Sequence, residues 1–172
     1  MASFILDRPT GLDPDVALLI ASLNDSTREW LENFESVPDD RMLWQPFAQG
    51  PSIAALMAHL IGAEDRWIRG IVFGEDAKEE LDDILAYNMA LDIDSYVFGE
   101  PPFKPFTEYL AQLRVRREVW VQRLVGLTPE QVFRSPRGNE FTLEWILAHL
   151  VQHDAYHGGQ IVMLNELALR AS

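Results

Sequence analysis

TLEWILAHLVQHDAYHGGQIVML, residues 142–164, carries the strongest helical pattern in the chain. Its apolar residues recur at three- and four-residue intervals, the spacing that places side chains on one face of an α-helix. Thr142 stands at the start, where helices favour a hydroxyl side chain that caps free backbone N–H groups. The pattern therefore predicts a long amphipathic helix that opens at Thr142. Its apolar stripe comprises Leu143, Ile146, Leu150, Ile161 and Leu164.

Three earlier stretches show the same periodicity. The first opens at residues 13–15, where a capping aspartate precedes a proline and a second acid. The second opens at Ser52, and the third opens near Thr107 and stops at Gly126. No convincing alternating strand appears. Four amphipathic helices in 172 residues predict an all-α fold, a four-helix bundle forming a single domain over residues 1–172. The stripes of these three helices are Val16, Leu19, Ile20, Leu23, Trp30, Leu31 and Phe34; Ile53, Leu56, Leu60, Trp67 and Ile71; and Leu110, Leu113, Trp120 and Leu124.

A long acidic and aromatic connection, residues 73–104, joins the second predicted helix to the third. It includes a possible extra helix over residues 77–91 and a proline-containing loop over residues 96–102. A connection of this length is unusual unless it crosses the bundle or covers something. We consider three interpretations: a simple crossover, a lid over a pocket, and a dimer contact.

The chain also shows an internal repeat. When Pro46 is aligned with Pro136, Ser52 meets Thr142 and the segment 58–60 meets 148–150, both of which read Ala-His-Leu. Each half then consists of a helix, a proline-containing loop and a capped helix that bears a histidine. The repeat predicts a bundle made of two related helix pairs.

The composition excludes several classes of function. With 27 acidic residues against 14 basic ones, the net charge of -13 would repel the phosphates of nucleic acids. The basic cluster Arg114, Arg116 and Arg117 is interpreted as a solvated helix face. The chain has no cysteine, which excludes disulfides, thiolate metal sites and cysteine nucleophiles. No signal-type or membrane-spanning apolar run appears, so we expect a soluble, cytoplasmic protein with no membrane or nucleic-acid partner.

Three of the four histidines, His149, His153 and His157, lie within nine residues of the last predicted helix. Neighbours four residues apart lie about 6 Å apart along a helix on nearly the same face, so two imidazoles can share one ion. The apolar stripe is centred on His157, with His153 beside it and His149 at the edge. His153 and His157 are therefore the pair expected to face the bundle.

A third ligand has to be a histidine or a carboxylate, because the chain has no cysteine. His59 is the only histidine outside the last helix, and it lies among the small residues Ser52, Ala55, Gly62 and Ala63. Small neighbours would leave room for an ion. The plainer alternative, an ordinary hydrogen-bonded histidine, stays open for each of these positions at this point.

The segment 149–161, together with Ser52, His59, Leu60 and Trp67, resembles the motifs of the DinB/YfiT-like superfamily of metalloenzymes. The resemblance covers essentially the whole chain. It implies a four-helix bundle with a long second connection, often a homodimer, and one divalent metal ion per chain, zinc or nickel. By matching motif positions, the metal ligands it implies are His59, His153 and His157. Gly158 departs from the arginine that commonly follows the last histidine in the family.

The resemblance implies a metal-dependent transferase that uses a low-molecular-weight thiol, with a small molecule or thiol as the partner. One alternative is a metal-dependent hydrolase. Asp154 follows the first histidine of the pair, as the general base does in His-Glu-x-x-His proteases, but its helix angle differs by about 100° from that of His153. Asp154 is therefore interpreted as a surface acid or as a support for the ligands. The other alternative is a non-enzymatic bundle that the metal stabilises, binding a small ligand or acting in a stress response.

Overall fold

The protein is a mostly helical four-helix bundle in the computed structural model, which describes residues 5–32, 34, 37–76, 82–91 and 97–171. The four long elements are those that the periodicity predicts. Element bounds in chain order are α1 Pro14–Leu31, α2 Asp39–Met42, α3 Ile53–Glu64, a π-helical segment Asp65–Val72, α4 Asp83–Ala90, α5 Phe106–Arg123, β1 Val132–Arg134, β2 Glu140–Thr142 and α6 Leu143–Ala171.

Three of the four long helices begin where a capping side chain was expected. Asp13 Oδ1 accepts a hydrogen bond from Asp15 N at 2.9 Å at the start of α1. Ser52 Oγ accepts one from Ala55 N, and Thr142 Oγ1 accepts one from Trp145 N, both at 3.2 Å. The caps of α3 and α6 thus occupy equivalent places in the internal repeat. The start of α5 differs, because Pro105 precedes its first residue and no side chain caps it.

The second predicted helix is not a continuous α-helix. After Glu64 it continues as the π-helical segment, in which Phe73 N bonds to Ile68 O at 3.0 Å, five residues back. An ion pair between Arg69 Nε and Asp65 Oδ1, 2.9 Å long, spans one turn of the segment. Gly74 follows with a φ of 67°, a left-handed conformation that glycine adopts readily. Apolar periodicity alone does not distinguish these two helix types over eight residues.

The expectation that the chain has no strand is wrong for one short hairpin. Strands β1 and β2 pair antiparallel before α6, with Phe133 opposite Phe141. The turn between them includes Gly138, whose φ of 83° favours glycine. Three residues per strand are too few for an alternating pattern to be recognised, although Pro136 and Gly138 are turn signals.

The bundle has α1 packed along α6, α6 on α3, and α3 on α5. Its buried apolar residues form two clusters at successive levels of the bundle. One surrounds α3 and the C-terminal half of α6, and the other surrounds the N-terminal halves of α1 and α6. Among the described residues no helix is both long and apolar enough to cross a membrane.

The connection over residues 73–104 does contain a helix. Helix α4, Asp83–Ala90, lies within the expected range 77–91, and it packs against α3 with Ile84 and Leu85 buried in the core. Residues 77–81 and 92–96, which include Tyr96 of the expected loop, lie outside the described residues. The described part of the connection is therefore integrated with the bundle through α4.

Candidate metal centre

Three histidines from two helices meet in the bundle. One ring nitrogen of His59 on α3 and one each of His153 and His157 on α6 lie within 4.8 Å of one another. His59 Nε2 and His153 Nε2 are 2.9 Å apart, and the ring centroid of His157 lies 4.8 Å from that of His59. The four-residue spacing on α6 brings the rings of His153 and His157 to a centroid separation of 4.4 Å. These are the three residues that the family motif implies as ligands.

Two amide side chains fix which nitrogens face the centre of the cluster. His59 Nδ1 lies 3.0 Å from Asn88 Oδ1, and His157 Nδ1 lies 2.7 Å from Gln160 Oε1. Because an amide oxygen only accepts, each Nδ1 carries the proton and each Nε2 keeps its lone pair. Metal-binding histidines in proteins are commonly held by such an outer hydrogen bond.

All three rings are held in the neutral form that a metal requires. Burial is the largest cause for each, since it disfavours the charged imidazolium. Burial and the neighbouring histidines lower the pKa of His153 to about 2. Burial also lowers the pKa of His157 to about 4, with the Gln160 hydrogen bond acting in the opposite direction. The pKa of His59 is lowered by burial, and its bond to Asn88 partly offsets the shift.

The donor set fits a divalent transition metal. Neutral imidazole suits zinc, nickel and copper, and a tetrahedral ion with bonds of about 2.1 Å spaces its ligand nitrogens about 3.4 Å apart. The 2.9 Å separation of His59 Nε2 and His153 Nε2 is close to that spacing. His59 is buried whereas His153 and His157 are half-buried, so one side of the cluster faces outward.

His149 does not join this cluster and lies in an aromatic group beside it. Its ring stacks on Trp145, with centroids 5.0 Å apart and planes 7° apart, and it meets the edge of Trp67 at 5.0 Å. Phe141 completes the group at 4.9 Å from Trp145. The ring of His149 is 5.9 Å from that of His153. The aromatic group therefore extends from the histidine cluster to Trp145, which is 47% exposed.

Asp154 is not a surface acid, contrary to that interpretation of the sequence. It is 1% exposed, and it accepts hydrogen bonds from Ser26, Thr27 and Trp30 on α1 at 2.8, 2.8 and 3.0 Å. The buried face of α6 runs through Leu150, Asp154, Gly158 and Ile161, so its centre lies beside His157 rather than on it. The carboxylate is thus directed to α1 and α5, away from the histidines' shared centre.

Arg117 is also buried, so the proposed solvated basic face does not include it. Its guanidinium donates to Glu64 on α3, through Nε at 3.2 Å and through Nη2. It also donates to Asn24 at 3.2 Å and Thr27 at 2.8 Å on α1, and lies 3.4 Å from Asp154 on α6. We call the group Asn24, Thr27, Glu64, Arg117 and Asp154 the polar layer. It joins all four long helices.

The polar layer lies between the two apolar clusters along every helix. On α1 it falls between Leu23 and Trp30, and on α5 it falls between Leu113 and Trp120. Two carboxylates share one guanidinium there. Burial raises the pKa of Glu64 above its ordinary value, although the charge of Arg117 opposes that shift. Burial by itself would lower the pKa of Arg117, but the charges of Glu64 and Asp154 outweigh it and raise that pKa.

Gly158, where the family commonly has arginine, is explained by Trp30. A Cβ atom on Gly158 would lie 2.2 Å from Cδ1 of the Trp30 ring, which no real contact allows. The indole therefore occupies the space that a side chain at this position needs, and its Nε1 donates to Asp154. In this chain a role for that arginine is excluded by packing.

Sequence reasoning found the three histidines of the cluster but missed their supports. Gln160 follows His157 by three residues on the same helix, a spacing that could have indicated a contact. Asn88 and the Arg117–Asp154 pair join residues far apart in the chain, so no local signal marks them. A groove of about 630 Å³ between α1 and α5 reaches Arg117 and Thr27 but is not lined by any of the histidines.

The fold and the cluster define a four-helix-bundle protein with a three-histidine site suited to a divalent metal ion. The model of one protein family, described as the DinB superfamily, matches residues 9–161, and the chain therefore belongs to the DinB superfamily.

The chain is also similar to a solved structure, that of YfiT from Bacillus subtilis, described as a probable metal-dependent hydrolase with an unusual four-helix bundle topology. The TM-score is 0.60 at 21% sequence identity, and the match covers 94% of this chain and 93% of the YfiT chain. At that identity the similarity establishes the fold. No protein with curated annotation matches the chain significantly.

Proposed function

We propose that the chain binds one divalent metal ion through Nε2 of His59, His153 and His157, and that it is a metal-dependent transferase that uses a low-molecular-weight thiol. The observation that carries the proposal is the meeting of three neutral imidazoles at a half-buried position. Three protein ligands leave one coordination position for an exogenous group, as in catalytic rather than structural zinc sites. Zinc and nickel, the metals that the family resemblance implies, are both suited to imidazole ligands.

When bound, the metal supplies Lewis acidity that lowers the pKa of a coordinated thiol or water. The chain's own contribution is to hold three imidazoles neutral and aligned. Asn88 and Gln160 keep the Nδ1 protons outward, and burial keeps the rings unprotonated. Trp145 and Phe141 offer apolar surface beside the cluster, against which a substrate can lie.

A thiol suits this site because it ionises more readily than water. Its ordinary pKa is about 8.5, whereas that of free water is about 15.7. In the described part of the chain no carboxylate belongs to the cluster, and Asp154 is engaged by α1 and α5. Coordination alone therefore has to activate the nucleophile, which is easier for a thiol.

A metal-dependent hydrolase is the second candidate. The description of the structurally similar YfiT favours it, and the same three ligands would serve it. The third candidate, a metal-stabilised bundle without catalysis, requires that no exogenous group reach the ion. The homodimer, the cytoplasmic location and the small-molecule partner inferred from the sequence stay predictions.

Cobalt substitution distinguishes the three candidates. We expect millimolar 2-mercaptoethanol to add a thiolate-to-cobalt charge-transfer band in the near ultraviolet, and His153→Ala to show no such band. Ethanol, which has the same shape without sulfur, is the matched ligand control. A response to azide but not to the thiol would favour the hydrolase, and a spectrum that neither ligand changes would favour the closed, non-catalytic site.

A further inference from the structure

Helix α4, in the long connection, places one polar side chain against the candidate metal centre. Asn88 Oδ1 accepts a hydrogen bond from Nδ1 of His59 at 3.0 Å. His59 has no second imidazole proton to give in its neutral form, so this bond determines that Nε2 carries the lone pair. That nitrogen lies 2.9 Å from Nε2 of His153. The contact therefore fixes both the tautomer and the direction of the buried ligand.

A glycine on α3 makes this approach possible. A Cβ atom at Gly62 would lie 2.1 Å from Nδ2 and 2.2 Å from Cγ of Asn88. Glycine inside a helix costs about 1 kcal/mol relative to alanine. Gly62 lies one turn after His59, and the close packing of Asn88 against α3 explains why this position is a glycine. This packing is an observation independent of the hydrogen bond between Asn88 and His59.

Helix α4 is held in place by contacts that do not involve His59. Ile84 and Leu85 are buried in the core. Asp82 Oδ1 caps the helix by accepting from Leu85 N at 2.9 Å, and Tyr87 donates its hydroxyl to Gly99 O at 3.1 Å. The position of Asn88 is therefore set by the packing of α4, and the orientation of the imidazole follows from it.

We propose that Asn88 is a positioning residue for the metal, acting through His59, and that the connection contributes this support to the site. The inference rests on the metal site of the proposed function. Removing such an outer hydrogen bond typically weakens metal binding about 10–100-fold. On this proposal, the described helix α4 of the connection has a role beyond linking two helices, because it holds His59 in position.

Zinc affinity, measured by competition with a chromophoric chelator, tests the proposal. We expect Asn88→Leu, which cannot accept a hydrogen bond, to bind zinc about 10–100-fold more weakly. Asn88→Asp keeps the acceptor and should bind at least as tightly as the wild type. Tyr87→Phe is the matched control, because it removes only the exposed hydrogen bond from α4 to Gly99 and leaves Asn88 and the buried Ile84 and Leu85 in place, so its affinity should stay that of the wild type.

A second pair of variants leaves Asn88 unchanged and tests its position against α3. Gly62→Ala pushes Asn88 away from α3 and should weaken zinc binding as Asn88→Leu does. Gly159→Ala is its control, because a Cβ atom there meets nothing within 4 Å. The cobalt absorption spectrum should change in Gly62→Ala and stay unchanged in Gly159→Ala, since only the first alters the geometry of a ligand.

The outcomes separate this inference from the proposed function. If Asn88→Leu and Gly62→Ala bind zinc within about threefold of the wild type while His59→Ala does not bind, the positioning role is wrong and the metal site stands. Loss of affinity in Asn88→Asp equal to that in Asn88→Leu also overturns it. If the wild type and His59→Ala bind zinc equally weakly, the metal site itself is wrong.

Discussion

His153 and Asp154 are neighbours on α6, yet they belong to two polar groups that differ in chemistry. Asp154 is in the polar layer, where charges are paired and its two oxygens accept from three side chains of α1. His153 is in the histidine cluster, where the rings are neutral and their Nε2 atoms face one another. The first group is satisfied within the protein, whereas the second brings one nitrogen of each of three neutral imidazoles close together.

The difference between these two groups shows that adjacent residues of one helix can have separate roles, one in stability and one in function. A step of one residue turns a side chain by about 100° around a helix axis, so adjacent residues face different neighbours. Asp154 faces α1 and α5, while His153 and His157 face His59 on α3. The polar layer should therefore govern the stability of the bundle, and the cluster should govern metal binding.

The largest effect is expected from the polar layer. Arg117→Met leaves Glu64 and Asp154 buried without their cation, which typically costs about 3–5 kcal/mol. Urea unfolding at neutral pH measures the free energy of unfolding. Arg114→Met, an exposed position one turn earlier on α5, is the control and should change that free energy by less than about 0.5 kcal/mol. Equal effects of the two substitutions would contradict the role of the layer.

The second effect separates the two groups by their response to zinc. At a free concentration one hundred times its dissociation constant, zinc should raise the free energy of unfolding by about 2.7 kcal/mol. Arg117→Met should gain the same increment from its lower starting value, because the hydrogen bonds of Arg117 go to Glu64, Asn24, Thr27 and Asp154 rather than to the histidines, and sites without shared partners behave additively. His157→Ala should gain nothing. A full increment in His157→Ala, or its loss in Arg117→Met, would show that the two groups are not divided in this way.

The third effect concerns pH in the metal-free protein. The pKa values of His153, about 2, and of His157, about 4, lie below the ordinary 6.5, so below pH 6.5 the unfolded chain binds protons that the folded chain does not. Stability is therefore lost as the pH falls from 6.5 toward these values, by up to about 1.4 kcal/mol per pH unit for each histidine. Partial exposure of the rings reduces that slope.

His153→Asn tests this pH dependence. It removes one of the two strongly shifted groups, so its stability should fall less steeply than that of the wild type between pH 6.5 and 5. Thermal unfolding in chelator-treated buffers measures both slopes. The raised pKa of Glu64 affects wild type and variant alike, so it cancels in the comparison. Identical slopes would mean that His153 titrates normally in the folded protein.

Much of the bundle and the histidine cluster could be predicted because both leave local patterns in the sequence. Apolar periodicity located the four long helices, and Asp13, Ser52 and Thr142 marked the starts of three. The four-residue spacing of His153 and His157 follows from helix geometry alone. His59 was the remaining histidine outside α6, and its position in the family motif indicated it as the third ligand.

The polar layer and the supports of the ligands could not be predicted because they depend on tertiary contacts. Arg117 looks like a surface residue in its sequence context, and only the packing of α5 against α3 brings it to Glu64. Asp154 directly follows His153, and its helix angle suggested a surface acid, but it is buried. Asn88 reaches His59 only because Gly62 admits it. In each case the deciding partner lies more than 25 residues away in the chain.

The comparison depends finally on which histidines belong to the cluster. His149 is four residues from His153, as His157 is, but its ring stacks on Trp145 instead of meeting His59. We expect His149→Ala to keep the metal and to lose at most about 1–2 kcal/mol of stability from its ring contacts. Removal of the His149 ring should therefore lower the stability of the bundle slightly and leave metal binding unchanged.

Metal content after zinc loading and exhaustive dialysis, determined by elemental analysis on protein purified without a nickel column, decides between the two histidines. We predict one zinc ion per chain in the wild type and in His149→Ala, and none in His153→Ala or His157→Ala. Retention of zinc in His157→Ala with its loss in His149→Ala would contradict the assignment of His59, His153 and His157 as the metal ligands.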